Sequence, residues 1–317
     1  MIVLIIILLI IHYFYKYNIE YYKKETICCF GASVTKQKTG YVYYLNDLLK
    51  DKYNIIQFGY GSMHLNDAGI IFIDDVLKHH PNYCIIDWFS TGYTSINNNT
   101  NKYIDTIIRK FTKNRCILIF LFLPRNDTPN RIKYYNFCKK RLDKYNILYI
   151  DLSNRFDINH VLRDSVHTND NGSKLYAKEI YNIFINKNMK LIKKIPLKNK
   201  YYNIQKIIFN KTIYNYIILH GKCKIIGFNL IIGRYSGKIK ILNKNKDIIN
   251  VWDKWCYYER QNIKLQFNIS KKVKLKVLQS DFDRSLSKKK INWSEYKNKL
   301  VINEIYYIGK LKIGKYQ

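Results

Sequence analysis

The stretch TICCFGASVTKQKTGY, residues 26–41, decides how this chain is read. An apolar run of strand length stops at Gly31. Ser33 comes almost at once, and a basic, glycine-containing stretch leads into the next apolar pattern. A buried strand ending on a sharp turn that carries a serine sets up the question of what else lies beside that serine. Outward from it the grammar repeats. YVYYLNDLLK (41–50) places Val42, Leu45, Leu48 and Leu49 on one helical face. NIIQF (54–58) reads as a second strand, and LNDAGIIFIDDVLKHH (65–80) as a helix with Ile70, Ile73, Val76 and Leu77 in register. YCIIDWF (83–89), CILIFLFLP (116–124) and ILYIDL (147–152) read as three further strands. Between and after them, YIDTIIRKF (103–111), NRIKYYNFCKKRLDKY (130–145) and GSKLYAKEIYNIFI (172–185) are helical.

Five apolar strands alternating with helices predict an α/β domain: a three-layer, flavodoxin-like parallel sheet covered on both faces. Right-handed crossovers then bring every strand C-terminus to one edge, where open sheets of this kind bind their ligands. The candidate segments are therefore 31–35, 59–64, 90–93, 124–127 and 153–168. After about residue 190 the period changes. KIIGFNLIIG (224–233), GKIKILNK (237–244), IKLQFNI (263–269) and KVKLKVLQ (272–279) alternate with period two and carry no helical stripe. This predicts a small all-β sandwich. The expected organisation is a hydrophobic N-terminal segment over 1–22, the α/β domain over 23–190 and the β-domain over 197–317. VWDKWCYYER (251–260) packs four aromatics among charges, and Trp252 and Trp255 are expected to contact the first domain.

Of the 317 residues 47% are apolar, enough for a substantial core. The formal net charge is +32, from 55 Lys and Arg against 23 Asp and Glu. Lys, Asn, Ile and Tyr are inflated together along the whole length, and no compact basic block with interleaved aromatics stands out. That argues against a nucleic-acid partner. The seven cysteines form no CxxC pair, and four sit in apolar runs. Buried free thiols are expected, with no disulfide framework and no metal site. The N-terminus, MIVLIIILLIIHYFYKYN, carries eleven apolar residues before His12. A membrane association through residues 1–15 is expected, with Lys16, Lys23 and Lys24 favouring a cytoplasmic location for the rest of the chain.

The second chemical signal is RDSVHTNDNG, 163–172. It comes after the last parallel strand and before the last helix, so it lies on the same edge as Ser33. It offers Asp164 and His167 three residues apart. A serine, a histidine and a carboxylate at one edge form the set for acyl transfer: the histidine takes the serine proton, the carboxylate holds the imidazole, and backbone N–H groups stabilise the oxyanion.

These residues carry a resemblance. FGASVTKQKTGY is similar to the first block of the SGNH/GDSL hydrolases, with Ala32 in place of their usual Asp. RDSVHTNDNGSKLYA resembles their last block, in which Asp-x-x-His supplies two catalytic residues. FGYGSMHLND lies where the family keeps its oxyanion-hole glycine, 28 residues after Ser33, and PNYCIIDWFSTGY takes the place of the third block. The likeness covers roughly 26–186 and extends to a subgroup associated with cell-surface polysaccharides. It implies Ser33 as nucleophile, His167 as general base and acid, and Asp164 as orienting carboxylate. The oxyanion hole would use the N–H groups of Ser33 and Gly61, with Ser62 as the alternative to Gly61. No cofactor and no metal are implied.

One departure stands out. The family keeps an Asn amide at the end of the third strand, where this chain reads FSTGY, so Ser90 or Thr91 is expected to donate instead. Loss of one such donor costs about 2.7–4 kcal/mol of transition-state stabilisation. His64, Trp88 and Arg125 lie on the same edge as candidate substrate-binding residues. For each an ordinary role stands beside it: helix-start packing, core packing and a loop salt bridge. The function implied is a serine esterase, deacylase or acyltransferase acting on an acylated carbohydrate. The alternative is a non-catalytic glycan-binding or assembly protein on the same scaffold.

Overall fold

The computed structural model describes residues 6–11, 13, 24–91, 96, 99–128, 131–186, 204–242, 248–254, 256–264, 266–279, 284–290, 292 and 295–316. The chain divides into two compact units. One comprises 1–61, 74–95 and 110–196; the other comprises 62–73, 96–109 and 197–317.

In the first unit β1 (Glu25–Gly31), β2 (Tyr53–Gly59), β3 (Tyr83–Ile86), β4 (Ile117–Phe122) and β5 (Leu148–Asp151) form a five-stranded sheet in the order β2-β1-β3-β4-β5. All four pairings are parallel. β1 and β4 are buried almost throughout, as strands covered on both faces must be. The first helices along the chain are α1 (Ser33–Lys36) and α2 (Tyr41–Leu49). Short helices α3 (Ala68–Ile71) and α4 (Ile73–Leu77) come next, then α5 (Thr100–Lys113), α6 (Arg131–Asp143), α7 (Ile158–Val161) and α8 (Asp170–Ile185). One core cluster joins β1, β4 and β5 to α2 and α8 through Cys29, Tyr41, Leu45, Leu121, Ile150, Tyr176 and Ile180. Leu48, assigned to the buried face of α2, is exposed; the stripe is Val42, Leu45 and Leu49.

The segment 65–80 forms two short helices instead of one. Its apolar residues Leu65, Ile70, Ile71 and Phe72 are buried all the same. They belong to the second unit, where Phe72 meets Tyr306 edge-on at 6.1 Å between centroids. The spacing of the segment suits a continuous helix. The break falls at Phe72, which is buried against Tyr306.

The second unit is all-β apart from the helical segments it gathers. Its strands are β6 (Gln205–Tyr214), β7 (Tyr216–Ile232), β8 (Lys238–Leu242), β9 (Ile248–Asn250), β10 (Arg260–Lys264), β11 (Phe267–Ile269), β12 (Lys272–Leu278) and β13 (Leu300–Tyr316). They hydrogen-bond into one antiparallel sheet, β6-β13-β7-β12-β8-β9, with β10 and β11 also paired to β7. The 17-residue β7 is the spine: β13 runs along one side, and β12, β11 and β10 succeed one another on the other. The inward residues form a single core, with Ile217, Leu219, Phe228, Leu275 and Ile305 near its centre. Trp252 is part of that core. Trp255 lies outside the described residues. All seven cysteines are free and buried.

Phe228 is fully buried and stacks with Phe267 at 6.2 Å. We expect Phe228→Ala to lower stability by about 3–5 kcal/mol. Chemical denaturation followed by far-ultraviolet dichroism will measure it, and a loss under about 1 kcal/mol would mean that this core is not packed as described.

Candidate active site

β1 ends at Gly31, and the chain turns through Ala32 directly into α1, whose first residue is Ser33. The turn is held from below by Asp87, the residue after β3. Its fully buried carboxylate accepts from the Ala32 N–H at 2.7 Å, the Thr35 N–H at 3.0 Å and the Thr35 hydroxyl at 2.5 Å. Burial pushes the Asp87 carboxyl above its ordinary value, and the hydrogen bonds from Thr35 and Ala32 oppose that push. The Tyr41 hydroxyl lies 2.9 Å from the Thr35 hydroxyl, and the Gln57 amide donates to the Thr35 carbonyl.

Two glycines permit this packing. A Cβ on Gly31 would stand 2.3 Å from the Asp87 Oδ1, and one on Gly59 would stand 2.4 Å from the backbone of Lys36. Neither position accepts a side chain, because backbone or a buried carboxylate already fills the space.

The histidine arrives on the loop between α7 and α8. Leu162 and Thr168 form an isolated antiparallel bridge, and the Arg163 N–H donates to the His167 carbonyl at 2.9 Å, which closes the loop on itself. Inside it the Asp164 Oδ1 accepts from the N–H of Val166 at 2.9 Å and of His167 at 2.8 Å, an Asx-type turn. The same carboxylate faces the His167 Nδ1 at 2.9 Å through Oδ2. The His167 Nε2 lies 2.9 Å from the Ser33 Oγ. With Nδ1–H donated to Asp164, Nε2 is the acceptor for the serine hydroxyl proton.

Burial alone would raise the Asp164 carboxyl. The N–H groups of His167 and Val166 and the imidazole outweigh it and hold the group below its ordinary value.

The two halves of the site are tied together by Gln37, just beyond α1. Its amide donates to the Thr168 carbonyl at 3.0 Å, and its carbonyl accepts from the Thr168 N–H at 3.1 Å. This closed pair fixes the residue after His167 against the turn that carries Ser33. The sequence alone does not single out Gln37. A glutamine four residues after a serine carries no signal until the loop that it meets is known. Thr168 is fixed further by the Ser173 hydroxyl at 2.7 Å, in the first turn of α8.

Ser33 is the first residue of a helix, so its N–H has no partner inside that helix, and none of the described contacts uses it. Gly31 pairs with Gly59 across β1 and β2, so Ser33 and Gly61 stand two residues beyond the paired positions on one edge. The Gly61 N–H is likewise unbonded among the described residues. Ser62, the alternative, carries a left-handed backbone with φ of 60°.

The expectation that a hydroxyl of Ser90 or Thr91 would donate into the site is not met by the geometry. The two residues lie in and just after a 3-10 turn (Trp88–Ser90). The Ser90 hydroxyl donates to the Asp87 carbonyl at 2.7 Å, and the Thr91 hydroxyl donates to the Trp88 carbonyl at 3.0 Å. Each hydroxyl has one proton, and that proton closes the turn. Trp88 is fully buried, edge-on to Phe30 at 5.1 Å, and is core instead of a sugar platform. Arg125 is buried too. It forms a two-point ion pair with Asp127, at 2.9 and 2.7 Å, and donates to the Ser90 carbonyl. It braces the loop and does not present its guanidinium to a substrate. His64 is exposed, with its backbone N–H donated to Asp67 at 2.6 Å, and it belongs to the second compact unit. Among the described residues no group of three or more His, Cys, Asp or Glu comes together in a way that could hold a metal ion.

No protein-family model matches the chain, and no curated protein matches it. Solved structures do. The architecture is a five-stranded parallel α/β domain followed by an antiparallel β-domain, a fold shared with a two-domain esterase. In particular, it is similar to the two-domain esterase CEX, active on acetylated mannans and co-crystallised with mannopentaose. That likeness spans 92% of each chain, with a TM-score of 0.64 and 14% identity. A second crystal structure of that esterase matches over 91% of this chain and 92% of its own, at a TM-score of 0.63 and 13% identity. An acetyl xylan esterase, AlAXEase, matches over 50% of this chain and 98% of its own, at 0.43 and 22%. At these identities the likeness is one of fold.

Two outcomes are expected from this site. Asp87→Ala should cost about 2–6 kcal/mol, because it strands two buried N–H donors at about 1–3 kcal/mol each; urea denaturation measures it. The lowered Asp164 carboxyl stabilises the fold above its unfolded value of about 3.9, and that contribution is lost as pH falls through the folded value. The melting-temperature advantage of the wild type over Asp164→Asn should therefore shrink as pH falls below about 4. An advantage that is constant or grows in acid would contradict this assignment.

Proposed function

We propose that the protein is a serine esterase acting on an acylated carbohydrate. The observation that carries this reading is the line of contacts from the Asp164 carboxylate through His167 to the Ser33 Oγ, both at 2.9 Å. His167 Nε2 takes the Ser33 proton as Oγ attacks the ester carbonyl carbon. Asp164 stabilises the imidazolium that forms. The N–H groups of Ser33 and Gly61 receive the oxyanion. His167 then gives its proton to the leaving sugar oxygen, leaving an acyl-serine. Water, activated by the same imidazole, releases the acid; a sugar hydroxyl in its place would make the reaction a transfer. The fold shared with an esterase active on acetylated mannans supports an acetylated glycan as substrate class.

A non-catalytic glycan-binding protein is the second reading. It is favoured by one observation: the Ser90 and Thr91 protons are held in their turn, so neither hydroxyl supplies the donor that the third block lacks. The apolar residues 1–15 are proposed to tether the chain to a membrane, with the remainder on the cytoplasmic side. Among the described residues no helix is long and apolar enough to cross one.

Fluorophosphonate labelling tests the first reading. The wild type should label and hydrolyse acetylated mannan or an aryl acetate, and Ser33→Ala should do neither. An unlabelled wild type without turnover on either ester would favour the binding protein. For the active enzyme, Thr91→Val should leave turnover within about twofold, whereas removing a donor that faces the oxyanion costs about 10²-fold or more. A hundredfold loss in Thr91→Val would return that hydroxyl to the hole.

A further inference from the structure

The second unit segregates its charge. Along β7 the residues alternate in burial, with Ile217, Leu219, Cys223 and Ile225 inward and Tyr216, Ile218, His220, Lys222 and Lys224 on the opposite face. The pairing register carries that face across four strands. Lys272 and Lys312 flank His220, Lys310 lies beside Lys222, and Lys276 pairs with both Tyr216 and Lys240. Lys274 and Lys238 occupy the same face, because Val273, Leu275, Val277, Ile239 and Ile241 between them are the buried positions. A Cβ on Gly314 would touch the His220 ring, which places that end of β13 on the same side.

The result is one face of a sheet on which these lysines stand together, with His220 among them. No Asp or Glu occupies an outward position of β7, β8, β12 or of β13 from Ile308 onward. Lys222, Lys272, Lys276, Lys310 and Lys312 are exposed. An even compositional bias scatters lysines over all faces. It does not clear one face of carboxylates while like charges stand on neighbouring strands, about 5 Å apart, where they repel.

We propose that this lysine face docks on an anionic phospholipid surface. Every cation on the face is an ammonium on a flexible stem, which suits many mobile headgroups and makes no fixed two-point fork for one phosphate. The surface is the outward face of an antiparallel sheet. Among the described residues Tyr216 is its one Phe, Tyr or Trp, and its ring is already covered by the Lys274 ammonium at 4.5 Å, so no row of rings is offered for stacking sugars or bases. The same chain carries a second membrane signal in its exposed apolar residues 6–11. A basic surface added to a short apolar insertion converts marginal attachment into stable attachment.

Flotation of the full-length protein tests this, using phosphatidylcholine vesicles and vesicles in which roughly a third of the lipid is phosphatidylserine. The neutral vesicles report the apolar segment alone. The increment on anionic vesicles reports the lysine face and should fall steeply with added salt. The combined variant Lys272→Glu, Lys276→Glu, Lys310→Glu and Lys312→Glu should lose that increment by about a hundredfold or more while binding neutral vesicles as the wild type does. If the combined variant does not fold, Lys310→Gln with Lys312→Gln should lose about tenfold. Equal binding of the wild type to both vesicles at low salt would overturn the proposal. So would a folded variant that keeps the anionic increment. Binding to duplex DNA or a soluble polyuronate without binding to anionic vesicles would also overturn it and assign the face to a soluble polyanion. None of these readouts depends on ester turnover, so this proposal and the esterase reading fail separately.

Discussion

The Asp87 carboxylate is the constraint around which the catalytic edge is arranged. It is fully buried and has no cation against it among its described contacts. What it has instead are N–H and O–H donors from the turn that carries Ser33. A buried carboxylate without donors is very costly, and buried N–H groups without an acceptor are costly too. Each therefore requires the other, and the requirement fixes how the end of β1 meets the end of β3. Gly31 has to be a glycine because the carboxylate occupies the volume that any Cβ would need. Ser33 stands at a helix start with its N–H unbonded among the described contacts, while its neighbours on the turn, Ala32 and Thr35, are drawn to Asp87.

A second constraint acts on the histidine. His167 sits on a loop with its side chain partly exposed, a poor place to hold an imidazole by packing. The loop is made rigid from within by Asp164, which accepts two backbone N–H bonds while it faces Nδ1. It is aligned from outside by the paired amide of Gln37. A carboxylate that is already hydrogen-bonded stays ionised and stays in place, which is what holding an imidazole in one tautomer requires. The residues around the third strand are arranged differently. Ser90, Thr91 and Arg125 carry polar groups that read as substrate-facing, yet each is engaged in closing the 88–91 turn or the loop after β4. Their polarity stabilises the frame behind the nucleophile.

The β-unit shows the same distinction between composition and arrangement. A net charge of +32 spread over a lysine-rich chain says little about where the charge acts. Strand register decides that. Once β7 is fixed with its apolar residues inward, every second residue of β12, β8 and β13 falls on the other side, and the lysines come into one field.

The sequence by itself determined the parallel sheet, the strand order along the chain and the residues Ser33, Asp164 and His167 as neighbours on one edge. These rest on local periods and on the crossover rule, which need no knowledge of distant contacts. It also determined that the later part of the chain is built on strands, which among the described residues begin at Gln205. What it left open has one physical cause: the partner was distant in sequence. Gln37 acquires a role only when Thr168, 131 residues away, is brought to it. The Ser90 and Thr91 protons are claimed by carbonyls of a tight turn whose shape is set by Asp87. The helix expected over 65–80 is two short helices, and Phe72 between them meets Tyr306, more than 200 residues away, a contact that no local period announces. β6 and β13 carry no clear alternation because lysines and tyrosines interrupt it; β13 is a strand by pairing to the long β7, and β6 by pairing to β13. Periodicity reports how a segment can bury one face; only the tertiary structure decides what that face meets.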